Sequence, residues 1–214
     1  MENQPLATPP PPGPTGSDEE LHWRLARIEE HNQRTGEVLN SRGVVFNSVL
    51  EVVRQLGDEQ AVERCTQVTG EPRFMDFFNY PYSSLIKMTY AAGWALGDKY
   101  GGFDKAMWQM GSQAASSFYS SAAGRAVLVL GRGGPTRLID TIVNAFQMVV
   151  KGAEVSTMLT GPKSAILVYK RDFLPRPYLE AGLVTTFAAA KMHGIKIQTR
   201  PTGPLDTEYD LTWD

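Results

Sequence analysis

Apolar residues recur every three or four positions through most of the first two thirds of this chain, and alternate positions become apolar in several segments after Gly152. The first period belongs to helices that bury one face and the second to half-buried strands. Val45, Val49, Leu50, Val53 and Leu56 predict a helix stopped by Gly57, and Ala61, Val62, Cys65 and Val68 a second one running up to Gly70. Pro81 precedes a third helix with Leu85, Met88, Ala92 and Leu96 on one face, closing near Gly97. Phe103, Met107, Met110, Ala114, Ser117, Phe118 and Ser121 keep register over the longest predicted helix, Phe103 to Ala123. Between Gly111 and Ser117 its side chains are small apart from Gln113, which suits either close helix packing or a ligand channel. Gly131-Arg132-Gly133-Gly134 interrupts the pattern, and Pro135 suits the first turn of a helix burying Leu138, Ile142, Phe146, Val149 and Val150.

The period becomes two after Gly152. Val155, Thr157 and Leu159 alternate, Thr160-Gly161-Pro162-Lys163 turns the chain, and Ala165 to Tyr169 returns it as a hairpin partner. A helix from about Pro177 to His193 ends at Gly194, Ile195 to Thr199 makes a third strand and Tyr209 to Trp213 a fourth. The predicted fold class is α+β: an N-terminal helical bundle packed on a C-terminal antiparallel four-stranded sheet of order strand-strand-helix-strand-strand.

Two segments precede that domain, which is assigned to residues 37–214. Residues 1–16 form a proline-rich tail with the run Pro9 to Pro12, an extended composition that cannot bury a core and that is either a plain tail or a ligand for a partner groove. Residues 17–36 form an amphipathic helix and linker. Ser17-Asp18-Glu19-Glu20 fits a capping box, and Leu21, Leu25 and Ile28 make one apolar stripe, with Trp23 beside it, suited to a lid on the domain or to a partner.

Charge and cysteine content narrow the function classes. The 214 residues carry 21 Lys and Arg against 23 Asp and Glu, so no overall field draws the chain to nucleic acid. No apolar run reaches a membrane-spanning length, and no secretory signal is visible at the N-terminus. A single Cys65 fits a reducing, cytoplasmic setting.

Catalytic sets are equally sparse. A zinc site needs clustered ligands, whereas the chain offers one cysteine with His22, His31 and His193. There is no Gly-x-Ser-x-Gly elbow, and the glycine loop before Pro135 has neither GxxxxGK[ST] nor GxGxxG spacing, which makes it a connector rather than a phosphate cradle. His193 reads as a charge at a helix C-terminus, or else as a base, and Cys65 as a small buried hydrophobe. Asp206, Glu208 and Asp210 alternate, and are read as the outward face of a solvated edge strand rather than as a metal or acid/base set.

Several motifs agree in order and spacing with a known family: Gly43 to Leu56, Phe77-Phe78-Asn79-Tyr80-Pro81, Ser121-Ala122-Ala123-Gly124-Arg125, Thr160-Gly161-Pro162, Arg171-Asp172-Phe173-Leu174-Pro175 and Glu208-Tyr209-Asp210-Leu211-Thr212-Trp213. From about Ser41 to Trp213 the chain resembles a large set of myxobacterial paralogues that share a domain of unknown function. More remotely it resembles the ligand-binding fold of haem-nitric-oxide sensors, vinyl-reductase-associated domains and Golgi-transport tethering subunits. That resemblance implies a helical half followed by hairpin, helix and two strands. In the haem sensors a helix carries the histidine bound to iron, and a strand carries Tyr-x-Ser-x-Arg for the propionates. Laying Tyr169 on that tyrosine puts Arg171 at the serine and Phe173 at the arginine, with Gly182 on a glycine of the next helix and Gln147 at the iron ligand. Glutamine is a poor haem ligand and phenylalanine cannot grip a propionate, so no haem and no other cofactor is expected.

The remaining expectation is a pocket between bundle and sheet, or simply packed core in its place. Trp94, Trp108, Phe118 and Phe146 are the candidate lining, with Phe46, Phe78, Tyr82 and Phe187. Gln147, Tyr169, Arg171, Phe173, Arg176 and Tyr178 are the other ligand-binding candidates. Of these, Tyr169, Arg171, Arg176 and Tyr178 are expected to gather an anion where the second strand feeds a helix N-terminus. The functional expectation is a non-enzymatic regulatory or scaffolding module acting through a protein partner or self-association. A sensor of an apolar or anionic metabolite, and an enzyme using His193 or Cys65, are the alternatives.

Overall fold

The structure, a computed structural model, describes residues 13–151, 154–192 and 194–214. The expectations for the proline run and for Gly152 and His193 therefore lie outside the described residues.

Helix α1 (Asp18–Thr35) starts as its sequence dictates: the Ser17 hydroxyl accepts from the Glu20 amide at 3.1 Å. The return half of the capping box is shifted by one residue, because Glu20 Oε2 accepts from Gly16 N, at 2.6 Å, rather than from Ser17. Leu21 and Ile28 are buried in the first core, so α1 lies as a lid on the domain. It is followed by β1 (Asn40–Arg42), α2 (Gly43–Leu56), α3 (Glu59–Gln67), β2 (Asn79–Pro81) and α4 (Tyr82–Tyr100). Helix α4 runs a turn past Gly97, since the left-handed conformation that ends it falls on Gly101.

The single helix expected over Phe103 to Ala123 is two: α5 (Phe103–Ser120) and α6 (Ala122–Leu130). Ser121 breaks it by capping α6, its hydroxyl accepting from Gly124 N at 3.1 Å. The longest helix is accordingly α4, with 19 residues. Close packing on the small stretch of α5 is real: a Cβ at Gly111 would lie 2.0 Å from the Tyr178 carbonyl oxygen. Only glycine lets α8 (Arg176–Ala189) approach that far. Helix α7 (Pro135–Val149) carries Pro135 in its first turn, after a short 3-10 turn, and buries Leu138, Ile139 and Val143 more completely than Ile142 or Phe146.

Two sheets form. A small one, unforeseen in the helical half, joins β1 to β2 and to β3 (Val150–Lys151) in the order β2-β1-β3. Strands of two or three residues are too short to show a period. The second sheet is antiparallel, with β4 (Glu154–Gly161), β5 (Ser164–Lys170), β7 (Thr207–Thr212) and β6 (Lys196–Pro201) in the order β4-β5-β7-β6. The predicted strand-strand-helix-strand-strand succession holds, although α8 stops at Ala189, short of His193. Strand β7 is internal rather than an edge. Glu208 and Asp210 project from its outer face and pair with Arg200 of β6 across the register, which accounts for the alternating acids.

The described residues form two hydrophobic clusters. The first gathers α1 to α5 around Phe46, Tyr90, Met107 and Met110. The second lies between the sheet and helices α7 and α8, around Phe187, Tyr209, Leu167 and Leu211. Phe146 and Leu179 pack against both and join them.

Candidate functional site

Strand alternation turns Tyr169, Tyr209, Leu167 and Leu211 inward toward α7 and α8. The Tyr169 ring meets Phe146 of α7 and Tyr209 of β7 edge-on, each at 5.6 Å between centroids. Burial pushes both tyrosine hydroxyls well above their ordinary range, so they are neutral apolar-facing groups. The space between α7 and the sheet is thus filled by aromatic side chains.

Gln147 is on the exposed side of α7, where its amide donates to the Val155 carbonyl at 2.8 Å and braces β4. Phe173 is buried edge-on against Tyr82 at 6.1 Å. Helix α7 holds no histidine or cysteine, and among the described residues no group of three or more His, Cys, Asp or Glu is placed to hold a metal ion. A porphyrin does not fit these residues. The residue expected at its iron ligand, Gln147, is a surface amide, the one expected at the arginine, Phe173, is a core phenylalanine, and the space between α7 and the sheet is occupied by rings.

The four residues expected to gather an anion diverge. Tyr169 points into the second core, and Tyr178 is largely buried beside α5, its hydroxyl pushed up to about 12 by burial. Arg176 is exposed at the start of α8. Arg171 takes another path, because its backbone adopts the left-handed φ of 56° and its amide donates to Asp206 Oδ1 at 3.1 Å. Its guanidinium reaches Glu154 Oε1 at 2.6 Å, and that bond holds the Glu154 carboxyl below its usual range. The aromatic candidates do not surround one cavity either. Trp94, Trp108 and Phe118 are each more than a third exposed, Phe78 more so, while Phe46 is solid core. Trp94 donates from Nε1 to the Gly16 carbonyl at 2.6 Å, tying down the chain ahead of α1.

Two features went unread in the sequence. The first is a second stripe on α1. Glu20, Arg24, Arg27, His31 and Arg34 follow helical spacing and face the domain beside the apolar stripe. Glu20 and Arg24 are buried together, with Arg24 Nε and Nη2 donating to Glu20 Oε1 at 3.1 and 2.8 Å and Nη1 to the Asp172 carbonyl at 3.3 Å. Burial pushes the Asp172 carboxyl up to about 7, although Arg24 and the Leu174 amide pull the other way. Further along, Arg27, Glu30, His31 and Arg34 line a cleft of about 130 Å³ closed by Arg171, Phe173 and Leu205. The helical spacing of those charges was the available signal, masked by the more familiar leucine stripe.

The second is a loop between Phe74 and Phe78. Gly43 N and Val44 N donate to the Phe78 and Asp76 carbonyls at 2.8 and 3.1 Å, and Phe78 N to Met75 O at 3.0 Å. Met75 N donates to the Tyr80 hydroxyl at 2.9 Å, and Asn47 Nδ2 to Phe74 O at 3.0 Å and Asp76 Oδ1 at 2.7 Å. A Cβ at Gly43 would lie 2.1 Å from Met75 O, so the loop is seated directly on the start of α2. It presents Phe77, 85% exposed, and Phe78, 63% exposed, next to Met75 and Val44.

Among the described residues no helix is long and apolar enough to cross a membrane. No curated protein matches the sequence. The fold is that of H-NOX proteins. The iron(II) unliganded H-NOX protein from K. algicida is 13% identical, with a TM-score of 0.62 over 81% of this chain and 96% of its own. An oxygen-binding H-NOX domain related to soluble guanylate cyclases, in its oxygen complex, is 11% identical, with a TM-score of 0.59 over 81% of this chain and 95% of its own. A structure described for modulation of haem redox potential through porphyrin distortion is 12% identical, with a TM-score of 0.61 over the same shares of the two chains. Residues 37–214 match the family described as a protein of unknown function, DUF2378, and the chain belongs to that family.

Proposed function

We propose that this chain is a non-enzymatic regulatory domain on the frame of the H-NOX proteins, one that works without haem and acts by associating with a second copy of itself. The observation that carries the reading is the Phe74 to Phe78 loop. Two phenylalanines stand in solvent on a segment whose backbone is pinned by bonds to α2 and Tyr80. Rigid, exposed aromatic groups lose little freedom on docking and carry much of the energy of protein contacts. The absence of a fit for porphyrin supports a role other than gas sensing through haem. Cys65 supports a non-catalytic reading, since burial pushes its thiol up to about 12, far from the thiolate a nucleophile needs.

Sedimentation equilibrium tests the proposal. The parent chain associates with rising concentration, and the double variant Phe77→Ser, Phe78→Ser stays monomeric with an unchanged circular dichroism spectrum. A parent chain that remains monomeric, or a double variant that associates as the parent does, overturns it.

A further inference from the structure

We infer that the cleft between α1 and the segment after β5 is a binding site for a small oxyanion of the phosphate class, which fastens α1 to the domain. Arg27 and Arg34 reach it from α1 and Arg171 from the other side, with Glu30 on the rim. The three guanidiniums are met in direct ion pairs by two acids, Glu30 on Arg27 and Glu154 on Arg171, with Glu37 also in the field of the His31 ring. Both acids are well exposed, with side chains at 63% and 59%, so an incoming oxyanion displaces solvated partners rather than buried ones.

His31 points to a ligand independently. Its residue is only 9% exposed, it lines the cleft, and among the described residues its Nδ1 has no hydrogen-bond partner. A buried ring nitrogen without a partner is uncommon, and an oxyanion in the cleft would supply one. Burial lowers the His31 pKa first, and then the positive charges of Arg171 and Arg34, which places those guanidiniums in the field of the ring. The planar forks of arginine suit phosphate oxygens, and about 130 Å³ accommodates a phosphoryl group but not a porphyrin.

The site is composite. Its α1 half lies before residue 37, where the family match begins, and its Arg171 half lies within it. Occupancy would therefore bridge a segment that precedes the family domain to the domain itself. This inference does not rest on the Phe77 loop.

Titration calorimetry and amide hydrogen exchange on the full chain test it, with inorganic phosphate and glycerol phosphate as separate probes. Either probe should bind saturably and slow exchange along α1. The double variant Arg27→Gln, Arg34→Gln should weaken binding by on the order of 100-fold, while Arg200→Gln on the outer sheet face leaves it unchanged. Tighter binding of the ester assigns the site to the phosphoryl group of a metabolite, tighter binding of phosphate to the free ion, and both uphold the site. Absence of saturable binding, or binding unaffected by the arginine variants, overturns it. Should the double variant lose its helical spectrum, Arg34→Gln alone, at an exposed position, makes the same test with about a 10-fold loss expected.

Discussion

The space between α7 and the sheet and the seam beneath α1 face the same short segment, Tyr169 to Leu174, and are built on opposite principles. The inner space is closed by Phe146, Tyr169, Tyr209 and Phe187, all packed in one cluster. The seam is lined by Arg24, Arg27, His31, Arg34 and Arg171, with Glu20 and Glu30 among them. The left-handed turn at Arg171 produces the split: alternation turns Tyr169 inward and would send Arg171 the same way, whereas the turn carries its guanidinium to Glu154. A fold can close an inner chamber by aromatic packing while polar chemistry persists a few residues away. Similarity of fold to haem proteins therefore says little about where this chain would hold a ligand.

The sharpest way to break the contrast is to hollow the inner space. Phe187→Ala should destabilise the chain by about 3–5 kcal/mol, the range for a truncated core aromatic, seen as a fall in the denaturant midpoint. A much smaller loss would show a chamber able to collapse or already loosely filled. Addition of haem to Gln147→His should give no bound Soret band, because the new imidazole sits on the exposed side of α7 against β4. A stable haem complex would undo the reading of the inner space.

On the other side of the comparison, Arg24→Leu strands the buried Glu20 carboxylate and should cost α1 about 3 kcal/mol of docking free energy, read by hydrogen exchange. Replacing both residues, Glu20→Leu with Arg24→Leu, should restore most of it. Asp172 sharpens the seam further through pH. Its carboxyl is raised to about 7 in the folded chain from an ordinary value of 3.8, so the native state holds the extra proton between those values. Stability should therefore fall as pH rises from about 4 to about 7 and level off above, and Asp172→Asn should abolish that slope in urea titrations. Smallest is Ser17→Ala, which removes the cap on α1 and should cost about 1 kcal/mol, visible as faster exchange in the first turn.

Much of the fold was legible because long amphipathic helices and a hairpin carry their period openly. The stripe from Leu85 to Leu96, the proline at the start of α7 and the strand-strand-helix-strand-strand order all needed only local rules. The small sheet through Asn40, Tyr80 and Val150 did not, since its pairing spans the chain and each strand is too short to have a pattern. Breaking of the helix at Ser121 was hidden because apolar periodicity runs straight through it, while the capping hydroxyl decides the outcome. In the candidate sites, Arg171 was recognisable as a cation near a strand end. Its direction depended on Asp206 and Glu154, residues 35 and 17 positions away. The partner stripe on α1 was readable by helical spacing, and the leucines beside it drew the reading toward a plain lid.

The contact at Gly111 reaches beyond packing. Where α5 and α8 meet there, main chain rests on main chain with no side chain between, so the bundle and the sheet layer cannot drift apart by the slow yielding of flexible groups. A tilt of α5 would carry α8 with it, and a single methyl at position 111 would wedge that joint open.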